Sequence, residues 1–131
     1  MSKAATAKDY MTADVITFTP DMDIHLAIKV LIDNKISGAP VVHDNGDLAG
    51  ILSTMDCLKV AFSASYHKEM GGLVSEYMSA KVQTIDAGAD IVEVADLFLK
   101  SRYRRFPVTM NDRLVGLISR YDVLRALEDL W

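Results

Sequence analysis

Tyr10 and Met11 recur as Tyr77 and Met78, and this offset of 67 positions runs on through the chain. Val15 and Thr17 fall on Val82 and Thr84, Asp23 on Asp90, and Pro40–Val41 on Pro107–Val108. After His43–Asp47 the offset becomes 66, and Leu48, Gly50, Ser53, Asp56 and Leu58 fall on Leu114, Gly116, Ser119, Asp122 and Leu124. Two copies are too few for a solenoid. A pair packed about a pseudo-twofold axis is the simpler expectation. The one-residue change of offset belongs in a turn, where it is best tolerated. We place copy one at residues 8–65, a linker at 66–74 and copy two at 75–131, with Gly71–Gly72 as a helix stop or hinge.

Each copy predicts the order β-α-β-β-α, a mixed α/β (α+β) class. A short extended run comes first (Val15–Phe18; Val82–Ile85). An amphipathic helix follows, with Ile24, Ala27, Ile28 and Leu31 on one face and Ile91, Val94, Ala95 and Phe98 at the same spacing in copy two. Asp21 or Asp23, and Asp90, suit the starts of these helices. A hairpin then pairs Ala39–His43 with Leu48–Leu52, and another pairs Phe106–Met110 with Leu114–Ile118. Asn45–Gly46 is a strong turn signal between the first two. A second helix closes each copy, near residues 54–65 and 120–130.

Composition narrows the classes of function. Half of the 131 residues are hydrophobic, which suits a packed chain. No apolar run is long enough for a membrane span, and the opening residues lack a secretory signal, so a cytoplasmic protein is expected. The lone Cys57 excludes an internal disulfide or a cysteine-based zinc cluster and reads as a buried structural thiol. A net charge of -4 argues against broad nucleic-acid binding. Every arginine lies between Arg102 and Arg125, and arginine is the side chain that grips phosphate with a planar fork.

The phrase Gly-h-h-Ser-x-x-Asp (h, aliphatic) ends both hairpins, at Gly50–Asp56 and Gly116–Asp122. Ser-x-x-Asp at a helix start is close to a capping box, and a cap alone would explain it. A helix start also attracts anions. A serine there can donate to phosphate, and a carboxylate one turn later accepts from the two ribose hydroxyls. Cap and nucleotide grip are compatible.

The doubled β-α-β-β-α order, Tyr-Met-[Thr/Ser] openings, Val-x-Thr strands, [Ala/Phe]-Pro-Val strand starts and Gly-h-h-Ser-x-x-Asp closings resemble a pair of cystathionine-β-synthase (CBS) domains, a Bateman module, over about residues 8–130. The resemblance implies a regulatory module without catalytic residues or required cofactor. It would bind AMP, ADP, ATP or S-adenosylmethionine in clefts between the motifs, pair as a homodimer and pass its state to an effector protein. Carried over by position, Asp56 and Asp122 would take ribose hydroxyls, with Ser53 and Ser119 near phosphate and Thr54 and Arg120 beside them. Thr17 and Thr84 would line the adenine side, with backbone around Ser37, Gly38, Ala39 and Pro40 and around Arg104, Arg105, Phe106 and Pro107. Strand propensity explains the two threonines equally well, and both prolines suit strand entry. Arg104, Arg105 and Arg120 would form a cationic corner in copy two unless they pair with carboxylates.

His43, Asp44, His67 and Glu69 lack specific metal-ligand spacing, and no metal site is expected. Met55, Met70 and Met78 read as core or interface filler, and Tyr66, His67 and Tyr103 as packing residues. Two rival readings stand: an interaction scaffold with non-functional clefts, and a nucleic-acid binder that uses the arginine cluster. Apolar residues of the second helices, among them Leu58, Phe62, Leu124 and Leu130, exceed the needs of one small core and mark the expected dimer face.

Overall fold

The computed structural model describes residues 5–67 and 71–131, apart from the side chains of Tyr66 and His67. Glu69, Met70 and those two side chains, considered above as ligand or packing groups, therefore lie outside the described residues. The elements in order are α1 (Ala7–Tyr10), α2 (Ile24–Asn34), β1 (Gly38–Val42), β2 (Leu48–Ser53), α3 (Thr54–His67), α4 (Val74–Tyr77), β3 (Ile85–Asp86), α5 (Ile91–Lys100), β4 (Arg105–Met110), β5 (Arg113–Ser119) and α6 (Arg120–Asp129). They form two compact units, one of Ile16–Val82, the other of the residues up to Val15 together with Gln83–Trp131.

In the unit Ile16–Val82, β1 and β2 pair antiparallel, with Ala39 opposite Leu52 and Val41 opposite Gly50. The Asp23 carboxylate accepts from the Leu26 N–H at 3.2 Å and starts α2. Lys35, left-handed at φ 53°, ends it. Ile24, Ala27 and Leu31 turn inward and join Phe18, Val41, Leu52 and Val74 in one core. In the other unit β3 pairs parallel with β4, and β4 antiparallel with β5. Asp90 caps α5 by accepting from the Val92 N–H at 3.2 Å. Ile91, Val94 and Phe98 pack on Phe106, whose ring centre lies 4.7 Å from that of Phe98.

The turns account for the change of offset. Between β1 and β2, three residues separate His43 from Asp47, whose backbone groups bond at 2.9 Å, and Gly46 supplies the required φ of 93°. Between β4 and β5 only Asn111 and Asp112 intervene, both left-handed at φ 53° and 67°.

The opening strands are shorter than expected. Ile85–Asp86 forms β3, whereas in copy one only Phe18 bridges to Val41. The Ala87 N–H continues the second ladder by donating to the Thr109 carbonyl at 2.9 Å. Its counterpart, Pro20, has no N–H to give. Thr17 and Thr84 lie before these pairings, on the surface.

The lead-in of each copy closes the other copy's hairpin. The Ala7 N–H donates to the Ala89 carbonyl at 2.9 Å, and the Val74 N–H to the Met22 carbonyl at 2.9 Å. Thr12 and Leu117 exchange two backbone bonds of 2.8 and 2.9 Å, and Ser79 and Ile51 two of 2.9 and 3.0 Å. Ala7 and Val74 are fully buried at these junctions. The glycine of each repeated phrase lies under the crossing lead-in. A Cβ on Gly50 would stand 2.5 Å from the Ser79 carbonyl oxygen, and one on Gly116 2.6 Å from that of Thr12. No helix among the described residues is long and apolar enough to cross a membrane.

Candidate functional site

Strand β2 runs straight into α3 at Ser53–Thr54, and β5 into α6 at Ser119–Arg120. Both corners carry a complete capping box. The Ser53 N–H donates to Asp56 Oδ2 at 2.9 Å, and the Asp56 N–H donates to Ser53 Oγ at 3.1 Å. Ser119 and Asp122 repeat this at 2.9 and 3.2 Å. The N–H after each serine is taken too, by Ser37 O from Thr54 at 2.8 Å and by Arg104 O from Arg120 at 3.3 Å. The first and third amides of each helix therefore already have protein partners, and a ligand here would meet side chains more than free amides. Glycine, serine and aspartate of the phrase are each needed by the fold.

What the caps leave over is the second carboxylate oxygen, and there the copies differ. Asp122 is buried, at 8% exposure, and its Oδ1 lies 3.5 Å from Arg125 Nη2. The same nitrogen donates to the Tyr10 carbonyl at 3.3 Å, and the guanidinium carbon sits 5.7 Å from the centre of the Tyr10 ring. The Tyr10 hydroxyl in turn donates to Asp129 Oδ2 at 2.7 Å. Asp56 is half-buried, and Lys59 stands at the position equivalent to Arg125. No ion pair joins Lys59 to Asp56 among the described residues. Sequence reasoning missed Arg125 and Tyr10. The three-residue spacing from Asp122 to Arg125 on a helix was the available signal.

Around the corners, Ser37, Thr54, Arg104, Arg105 and Arg120 are exposed, and Gly38, Ser53 and Ser119 half-buried. Ala39, Pro40, Phe106 and Pro107 are buried, so their side chains serve the cores and only their backbone could face a ligand. Arg105 opposes Ser119 across the β4–β5 ladder, and the Arg104–Arg120 backbone bond brings the third arginine to the same corner. The ion pairs among the described residues join Lys29 to Asp33, Lys100 to Asp96 and Arg125 to Asp122. Arg104, Arg105 and Arg120 are in none of them, although acidic residues outnumber basic ones in the chain. Thr17 and Thr84 are exposed short of the first pairings of their own units.

Cys57 lies one residue past Asp56 and is buried. Burial, with the negative Asp56 beside it, pushes its thiol up. That opposes nucleophilic use. No cluster of three or more His, Cys, Asp or Glu that could hold a metal ion occurs among the described residues.

Two units of like order, each closed by a capped strand-to-helix corner, define a tandem-repeat protein of mixed α and β structure. The CBS domain pattern matches residues 7–63 and again 74–129, so the chain belongs to the CBS domain family and carries the motif twice. It is 27% identical over 124 residues to the protein MJ1225 of Methanocaldococcus jannaschii, a match covering 95% of this chain and 43% of that protein. Its fold superposes on a crystal structure of Arabidopsis thaliana CBSX2 in complex with AMP, with a TM-score of 0.82 and 27% identity over 95% of this chain and 97% of that one. The CBS pair of MJ0100, solved with 5'-methylthioadenosine and S-adenosyl-L-methionine, gives a TM-score of 0.75 at 25% identity, covering 98% of this chain and 100% of that one. The chain spans 63% of the length of CBSX2 as a whole.

Proposed function

We propose that this chain is a regulatory module that binds an adenine nucleotide or a related adenosyl compound and passes its state to a partner protein. The observation that carries the reading is the paired Ser–Asp corner, present twice in a chain whose fold matches that of CBSX2 in its AMP complex. Asp56 and Asp122 are the candidate acceptors for ribose hydroxyls, and Ser53, Thr54, Ser119 and Arg120 the candidates for phosphate. Thr17, Thr84 and the backbone of Ser37–Pro40 and Arg104–Pro107 are the candidates for the base. Arg104, Arg105 and Arg120, without carboxylate partners among the described residues, favour an anionic nucleotide over the cationic sulfonium of S-adenosylmethionine at the second corner. The role in this reading is regulatory. We place the module in the cytoplasm, where nucleotide pools are large.

A homodimer through α3 and α6 belongs to the same reading. Met55 and Leu58 on α3, and Tyr121 and Leu124 on α6, are exposed at equivalent positions one turn apart.

A thermal-shift panel of AMP, ADP, ATP, S-adenosylmethionine and NAD tests the proposal, because a ligand that binds only the folded chain must raise its melting temperature. A rise with the adenine nucleotides is expected. No rise with any adenosyl compound at millimolar concentration would sink the reading.

A further inference from the structure

We infer that Arg125 withholds Asp122 from ligand, so that the ribose-reading carboxylate of this chain is Asp56 alone. The inference rests on the adenosyl-binding reading above and narrows it. A carboxylate that takes two vicinal hydroxyls must offer oxygen lone pairs not already committed. In both copies Oδ2 already accepts the N–H of the serine three residues earlier, which leaves Oδ1 as the oxygen with no backbone bond. Ribose recognition therefore falls to Oδ1.

At Asp122 that oxygen faces the Arg125 guanidinium at 3.5 Å, in a side chain only 12% exposed. Arg125 is itself held in place. It donates to the Tyr10 carbonyl at 3.3 Å and lies over the Tyr10 ring, while the Tyr10 hydroxyl is tied to Asp129 at 2.7 Å. The groups around the pair thus come from α1 and α6 together, and a sugar hydroxyl would have to compete with an ion pair supported from two elements. Among the described residues none of this is built at Asp56. Lys59 replaces Arg125, Ser63 stands where Asp129 does, and the Tyr77 hydroxyl donates instead to the Gly71 carbonyl at 2.7 Å. Arg125 is thus a specificity-determining residue that acts through Asp122.

Titration calorimetry with adenosine and with AMP, on the full chain, tests this. Asp56→Asn keeps a side-chain oxygen for the cap but offers an amide to the sugar, and should weaken adenosine by about tenfold or more. The double variant Asp56→Asn/Arg125→Ala frees the second carboxylate and should regain adenosine binding. Arg125→Ala alone should admit a second adenosine per chain. Unfolding midpoints in urea of all three variants check that the fold is intact. Adenosine binding that survives Asp56→Asn, or a double variant that folds and stays silent, overturns the inference while leaving the broader reading in place. A wild-type chain that binds none of adenosine, AMP, ADP, ATP and S-adenosylmethionine overturns both.

Discussion

Gly116 and Thr12 lie so close that a methyl group on the glycine would stand 2.6 Å from the threonine carbonyl oxygen and 2.7 Å from Met11 Sδ. That approach lets Thr12 exchange two backbone hydrogen bonds with Leu117. Gly50 and Ser79 repeat the relationship. The glycine of the repeated phrase is thus fixed by a crossing backbone.

Gly116→Ala should therefore destabilise the chain by about 1–3 kcal/mol, the range for forcing a methyl group into a filled space, and Gly50→Ala by a similar amount. Urea unfolding followed by circular dichroism measures both. Two variants as stable as wild type would show that the lead-ins yield without loss.

Ser53→Ala and Ser119→Ala each remove the acceptor for the third amide of a helix while leaving the aspartate in place. Each should cost about 1 kcal/mol. Threonine at the same position, which keeps the hydroxyl, should restore most of it. Equal losses for alanine and threonine in chemical denaturation would argue against the cap as the source of the stability.

With the second corner opened by Arg125→Ala, a further Arg120→Ala should lower AMP and ATP affinity there by about tenfold relative to adenosine, since it removes one phosphate-directed guanidinium. The side chain is exposed and outside the ion pairs described, so folding stability should move by no more than about 0.5 kcal/mol. An AMP-to-adenosine ratio unchanged by calorimetry would remove the arginine corner from ligand binding.

Stability should fall on the alkaline side. Burial and Asp56 raise the Cys57 thiol above its ordinary 9.0. The hydrogen bond to Asp129, with smaller effects of desolvation and nearby acids, raises the Tyr10 hydroxyl above 10.0. In both cases the folded chain holds its proton longer than the unfolded chain. The contribution is whole below about pH 9 and is lost as pH climbs through the raised folded values. Cys57→Ala should flatten the earlier part of the decline in urea midpoint, and Tyr10→Phe the later part. A decline of the same shape in both variants would assign it to other groups.

Much of the fold was legible in the sequence, for local reasons. Helix faces showed in the spacing of Ile24, Ala27 and Leu31 and of Ile91, Val94 and Phe98, and the helix starts in Asp23 and Asp90. Asn45–Gly46 announced a hairpin, and the shorter Asn111–Asp112 turn explained the change of offset. The extended runs were read too long because strand propensity does not register that Pro20 lacks the N–H which Ala87 uses. The exchange of lead-ins was not legible. Similarity between copies says that they fold alike, and is silent on which hairpin each lead-in will cover. The Arg125 contact was hidden for a related reason, since Tyr10 lies 115 positions away in sequence.

The traded lead-ins have a genetic corollary. A gene trimmed to either half would encode a strap with nothing to fasten and a hairpin left uncovered, so such fragments should be soluble only when made side by side. Duplication and fusion, once the straps had crossed, could not readily be undone by deleting one half.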